Sequence, residues 1–290
     1  MNDPQGTPPA TPVTPGGDPA SEPVLELDVG ADTQPATSSW GSVLRTPLRG
    51  GTIAATAALT VLAAGMSWWE GGATDDQHLY RQLGQSILLA GAALVLAISS
   101  RRIVLCTVEG DRPVPWGRDE RDQATSWVQD AGTFAAVLVM SLLPALVLSV
   151  AGHAVGAPTW VQMIVAAAGL LFAAAHFPFA IASSVLRNGA MGALWGVSRR
   201  AFKANPFAAR TAVGPALAFF VLFAGSFIVA GILVPGYEDA KDRYDHTVAR
   251  DLARGLVFVL RFAALWAALC TCRVAGLLAR DVPEIREVLE

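Results

Sequence analysis

Apolar and polar positions along this chain are sorted into long blocks and do not alternate as in a half-buried strand. Six apolar blocks, at about residues 52–69, 83–100, 132–152, 160–186, 212–235 and 255–278, are separated by polar connections. Each approaches or exceeds the ~20 residues a helix needs to cross the hydrocarbon of a bilayer. The pattern predicts an all-α polytopic membrane helix bundle with six transmembrane helices.

One connection departs from the block pattern. After Arg187 and Asn188-Gly189, residues Met191, Leu194, Trp195, Ser198, Ala201 and Phe202 recur at helical spacing, and Arg199, Arg200 and Lys203 flank them. This is the pattern of a short interfacial amphipathic helix over 191–203, apolar side in lipid and basic side among headgroups, ending at Asn205-Pro206. Anionic lipid contributes about 1 kcal/mol per basic residue in such a setting, so the stretch points to anionic lipid contact. An ordinary charged connector explains the same residues, and both readings put the loop in the cytoplasm.

Composition changes the picture only by excluding alternatives. With 53 % hydrophobic and 16 % charged residues, the chain is no soluble domain. Its net charge of −3 sums loops on two sides of a bilayer and says nothing about partners, and nothing supports nucleic acid binding. Residues 1–40 are rich in Pro, Thr, Gly and acidic side chains and poor in large apolar ones. They read as a disordered N-terminal tail. Without the basic, apolar and small-residue succession of a secretory signal, that tail is expected to stay on the mature protein. The domain organisation is then tail 1–40, membrane domain 41–280 and a short cytoplasmic tail 281–290.

Lys and Arg set the orientation. With alternating sides, 14 of them fall with the termini and 5 on the opposite side, Arg81, Lys241, Arg243, Arg250 and Arg254. The positive-inside rule therefore places both termini in the cytoplasm.

Within the blocks, small residues such as Gly84, Ala90, Gly91, Gly169, Gly225 and Gly231 permit close helix approach. Pro144, Pro178 and Pro215 each remove a helical hydrogen bond and are expected to kink or open three consecutive helices, as hinges or as static bends. Cys106, Cys270 and Cys272 lie near the cytoplasmic face and read as small apolar residues.

Ionisable residues inside the blocks bear most directly on mechanism, because charge in hydrocarbon is costly. They are His176, Arg261 and Arg273, with no Asp or Glu inside the six blocks as bounded above. No intramembrane carboxylate pair and no HExxH is present. His176 either bonds a carbonyl freed by Pro178 or titrates in a polar cavity. Arg261 and Arg273 are expected to snorkel to the nearer interface. In the loops, Asp75, Asp76, His78, His153, Asp242, Asp245 and His246 lack any compact ligand spacing. No cofactor, metal or catalytic residue is assigned.

The longest connection, 101–131, is too short for an enzyme domain. Its Gly110-Asp111 and Pro113 to Trp116 are turn signals, and Trp116 and Trp127 read as interfacial anchors. Together with Pro47-Leu48-Arg49-Gly50, Pro144, Pro178, Asn205-Pro206 and a closing Arg273-Val274-Ala275-Gly276-Leu277-Leu278-Ala279-Arg280, these features resemble a family of uncharacterised bacterial multi-pass membrane proteins designated only as a domain of unknown function. Its members often carry an acidic residue between that proline and tryptophan, where Pro115-Trp116 has none. The resemblance implies architecture and no activity.

Two function classes fit these residues. One is a non-enzymatic scaffold or accessory subunit contacting the lipid bilayer and a membrane-protein partner. The other is a transporter or channel for a small or lipid-like solute, with the prolines as flexible points around His176.

Overall fold

The computed structural model describes residues 40–48, 52–68, 78–110, 120–187, 196–233 and 245–290. The expected N-terminal tail up to residue 39 lies outside them. So do Arg49-Gly50, the turn signals after Gly110, and Asn188 to Trp195.

Among the described residues every regular element is helical: α1 Trp40–Leu44, α2 Ile53–Trp68, α3 His78–Val108, α4 Glu120–Ala154, α5 Thr159–Leu186, α6 Gly196–Ala204, α7 Pro206–Leu233, α8 Asp245–Asp281 and α9 Pro283–Leu289. A 3-10 turn at Thr46–Leu48 joins α1 to α2. Five helices, α3, α4, α5, α7 and α8, contain stretches long and apolar enough to cross a membrane. The first block is different. Its helix α2 has 16 residues, about 24 Å of rise, and falls short of a ~30 Å hydrocarbon core.

Helix ends overrun the apolar blocks. α3 continues through Arg101 and Arg102 to Val108, and α4 begins at Glu120. Much of the connection expected over 101–131 is therefore helix. Straight-chain polar residues propagate a helix about as well as leucine, so hydropathy marks the apolar depth and not the end of the hydrogen-bond ladder. α3 stops where Gly110 takes a positive φ of 77° and its N–H meets the Thr107 carbonyl at 3.2 Å. α4, α5 and α7 each run unbroken through Pro144, Pro178 and Pro215.

The core forms where α5 meets α4 and α7. Phe177 is fully buried and meets Phe134 edge-on at 6.1 Å, Phe220 edge-on at 5.6 Å and Phe219 at 5.7 Å. Such pairs add about 0.5–1.5 kcal/mol each to the burial of the rings. Two glycines set how near the helices come. A Cβ on Gly169 would collide with the Ala145 Cβ, and one on Gly276 would lie 2.7 Å from the Thr107 Cβ. These contacts fix α5 on α4 and α8 on α3 at backbone range.

Both described ends of the chain pack against the second half of α8 or its surroundings. The Trp266 indole N–H donates to the Leu44 carbonyl at 3.1 Å, and the Cys270 thiol to the Val43 carbonyl at 3.4 Å. Within the stretch expected as a short cytoplasmic tail, 281–290, lies the helix α9, docked with Ile285 and Leu289 fully buried. Its last carbonyls are satisfied from α5. Ser183 Oγ and Arg187 Nε donate to Leu289 O at 2.9 and 3.0 Å, and Arg187 Nη2 donates to Val288 O at 3.1 Å. A cation at a helix C-terminus also opposes the macrodipole.

Candidate functional site

The polar groups of the bundle gather at the end where α3 finishes, α4 starts and α5 finishes. There Arg101 Nη1 of α3 donates to Asp130 Oδ1 of α4 at 2.7 Å. The pair borders a cleft also lined by Ser100, Gln129, Thr133 and Ser184, with Phe134 and Ile181 as apolar walls. The cleft is partly open and small, about 20 Å³, room for one water-sized group. Ser100 spends its proton on the Ala97 carbonyl at 2.8 Å. Ser184 is 1 % exposed, and its Oγ has no hydrogen-bond partner.

Asp130 is the residue that reading the sequence missed. It lies within the membrane-length stretch Trp127–Ala154, two positions ahead of the third block as bounded at 132. A signal was present. Blocks two and three end and begin at 100 and 132, and antiparallel neighbours bring those edges to one depth, so Arg101 and Asp130 face each other.

His176 is 0 % exposed. Its Nδ1 hydrogen-bonds Ser198 Oγ of α6 at 3.2 Å, and its ring stacks on Phe172 at 5.9 Å between centroids. Sequence reading offered it a carbonyl near Pro178; the partner at Nδ1 is a hydroxyl 22 residues away. Being sealed in protein, this imidazole is not a hydrated group in a cavity.

The two arginines expected to snorkel are both buried among helices. Arg261 is 2 % exposed, and its guanidinium carbon sits 5.0 Å from the centroid of the Phe227 ring on α7. Arg273 is 4 % exposed and donates from Nη1 to Thr107 Oγ1 at 2.8 Å. Each finds a partner on a neighbouring helix. α7 provides an aromatic face. The overrun of α3 past its apolar block provides the hydroxyl.

Of the expected amphipathic helix, the described part is α6. Arg199, Arg200 and Lys203 are exposed, as the pattern requires. Its apolar side is not turned to lipid. Val197, Ser198 and Ala201 are buried, and Phe202 meets Phe179 edge-on at 5.7 Å. α5, α7 and α9 cover that face. α6 thus presents charge to its surroundings but no inserting apolar face.

Among the described residues no three His, Cys, Asp or Glu side chains gather as metal ligands. Asp75, Asp76 and Asp242 lie outside those residues, as do the side chains of His78, Asp245 and His246.

No family model, curated protein or solved structure matches the chain. Its helices identify it only as a multi-pass helical membrane protein.

Proposed function

We propose that the chain is a six-span protein of the bacterial cytoplasmic membrane, with both termini cytoplasmic, acting as a non-enzymatic scaffold or accessory subunit. The observation that carries the scaffold reading is His176. A transport site needs a hydrated polar group at membrane depth, whereas this imidazole is sealed between Phe172 and Ser198. The unbroken run of α4, α5 and α7 through their prolines supports the same reading, since none is opened as a discontinuous transport helix.

Six spans follow if α2 crosses a locally thinned bilayer, a modest cost per ångström of mismatch. The excess of Lys and Arg with the termini supports the orientation, and the bacterial setting rests on the resemblance that closes at Arg273 to Arg280. The exposed Arg199, Arg200 and Lys203 suit anionic headgroups by charge alone. Exposed apolar side chains along α4 and α5 suit lipid and a membrane-protein partner.

Purified protein in sealed vesicles tests the reading. His176→Phe is expected to lower stability by about 1–3 kcal/mol, the cost of a lost buried hydrogen bond, and to change no solute movement. Solute movement in the wild type that His176→Phe abolishes while the bundle stays folded would make the chain a transporter.

A further inference from the structure

Ahead of α2, residues 40–48 carry a row of large apolar side chains that the bundle leaves uncovered. Trp40, Leu44 and Leu48 recur at every fourth position and are each more than half exposed, while Val43, Thr46 and Pro47 are buried. We propose that this segment is an interfacial anchor, its row seated in the hydrocarbon edge of one leaflet, so that the partner of this surface is the lipid bilayer itself. The inference rests on the chain being a membrane protein and not on its orientation or its role as a scaffold.

The backbone is the first observation. All five consecutive carbonyls from Val43 to Pro47 accept a hydrogen bond from within the protein. The Cys270 thiol reaches that of Val43 at 3.4 Å, the Trp266 indole that of Leu44 at 3.1 Å and the Leu48 N–H that of Arg45 at 3.0 Å. Thr52 Oγ1 donates to the Thr46 carbonyl and Thr56 Oγ1 to the Pro47 carbonyl, at 2.5 and 2.8 Å. A segment in water needs no such set, because water satisfies its carbonyls. In hydrocarbon each must find a donor in the protein.

Depth is the second. Among the membrane-length helices, α4, α5 and α7 separate α3 from α8, so alternating spans run α3 and α8 in the same direction. Thr107 of α3 meets Gly276 of α8, and six residues earlier on each helix stand Arg101 and Cys270. Val43, held by Cys270, therefore lies level with the Arg101–Asp130 pair, where the polar end of the bundle starts. Trp40 and Trp127 each precede that level by three residues in the chain, and tryptophan is the side chain of a membrane border.

Continuity is the third. On α2 the exposed apolar surface goes on through Ile53 and Val61. Arg45 is exposed beside Leu44, and such a side chain rests its stem on apolar surface while its guanidinium stays among phosphates.

The test uses the full-length protein in vesicles, with Cys106→Ala as background because Cys270 and Cys272 are buried. A nitroxide is placed by Leu44→Cys or Leu48→Cys. Glu287→Cys, exposed on α9, and Val147→Cys, exposed inside a membrane-length stretch, are the references. Collisions are measured with oxygen, which concentrates in hydrocarbon, and with a polar nickel chelate, which stays in water. Labels at 44 and 48 are expected to prefer oxygen as Val147→Cys does. Preference for the chelate, as at Glu287→Cys, would put the row in water and overturn the proposal. Few collisions with either would show protein cover, a second copy of the chain, and overturn it too. A label at Val147 that prefers the chelate would instead sink the membrane reading itself. Trp40→Phe needs no label and keeps an aromatic ring. Lipid brominated high on its acyl chains is expected to quench tryptophan fluorescence more in the wild type than in Trp40→Phe, and equal quenching would overturn the anchor.

Discussion

The two halves of α5 have nearly the same apolar character and opposite surroundings. From Thr159 to Phe172 most side chains are exposed, Trp160, Met163, Ile164 and Leu171 among them; from Ala173 to Ser184 nearly every one is buried. Gly169 in the first half approaches Ala145 of α4, and α5 as a whole meets α3, α4, α6, α7, α8 and α9. Hydropathy cannot separate them, because lipid and protein interior are equally apolar. Polar groups can. His176, Ser183 and Ser184 all lie in the second half, where partners from other helices reach them or a cleft receives them.

The largest contrast is expected from truncation in each half. Phe177→Ala removes the ring shared by Phe134, Phe219 and Phe220 and is expected to cost about 3–5 kcal/mol. Leu171→Ala exchanges one lipid-facing apolar group for a smaller one and is expected to stay within about 0.5 kcal/mol. Reversible unfolding in bicelles measures both. Equal losses would show that the first half is covered by protein after all.

Glycine at the boundary sharpens the comparison next. Gly169→Leu drives a side chain into the Ala145 backbone, at 2.7 Å from its Cα even for a bare Cβ, and is expected to cost about 3 kcal/mol as overpacking. Gly152→Ala, whose nearest neighbour would be 3.9 Å away, is expected to fold with an unchanged melting temperature. A stable, natively packed Gly169→Leu would remove the close approach.

At the polar end, Thr107→Val takes from Arg273 the hydroxyl that accepts its Nη1 proton. The expected cost is about 1–3 kcal/mol. In a double-mutant cycle with Arg273→Met, the combined loss is expected to be less than the sum of the single ones. Strict additivity would mean that the two side chains do not interact.

The smallest effect concerns α6. Replacing Arg199, Arg200 and Lys203 with Gln is expected to change stability by less than about 0.5 kcal/mol, because these side chains are exposed. Adsorption of the protein in detergent to anionic vesicles should nevertheless weaken. A large drop in melting temperature would show that the cations hold the fold together.

Sequence reading located α5 and the middle of every other long helix, since each apolar block is a local property. It failed at the edges and at the partners. The ends of α3 and α4 were missed because polar straight-chain residues continue a helix. With them went the Arg101–Asp130 pair, which exists only where those overrunning ends meet. α9 was read as a tail because Ile285 and Leu289 in seven residues are too few to predict docking. Only the Ser183 and Arg187 donors on α5 show why it stays.

By itself the sequence determined that this is a helical membrane protein, because the transfer of apolar segments out of water is additive along the chain and needs no knowledge of neighbours. Tertiary structure decided which faces meet protein and which meet lipid. It also decided which partners Arg261 and Arg273 meet among the helices, and that the apolar side of α6 is spent on α5, α7 and α9. Those outcomes depend on what stands at the same depth on the next helix, such as the Phe227 ring or the Thr107 hydroxyl, and a buried charge or hydroxyl takes the partner that geometry brings within reach.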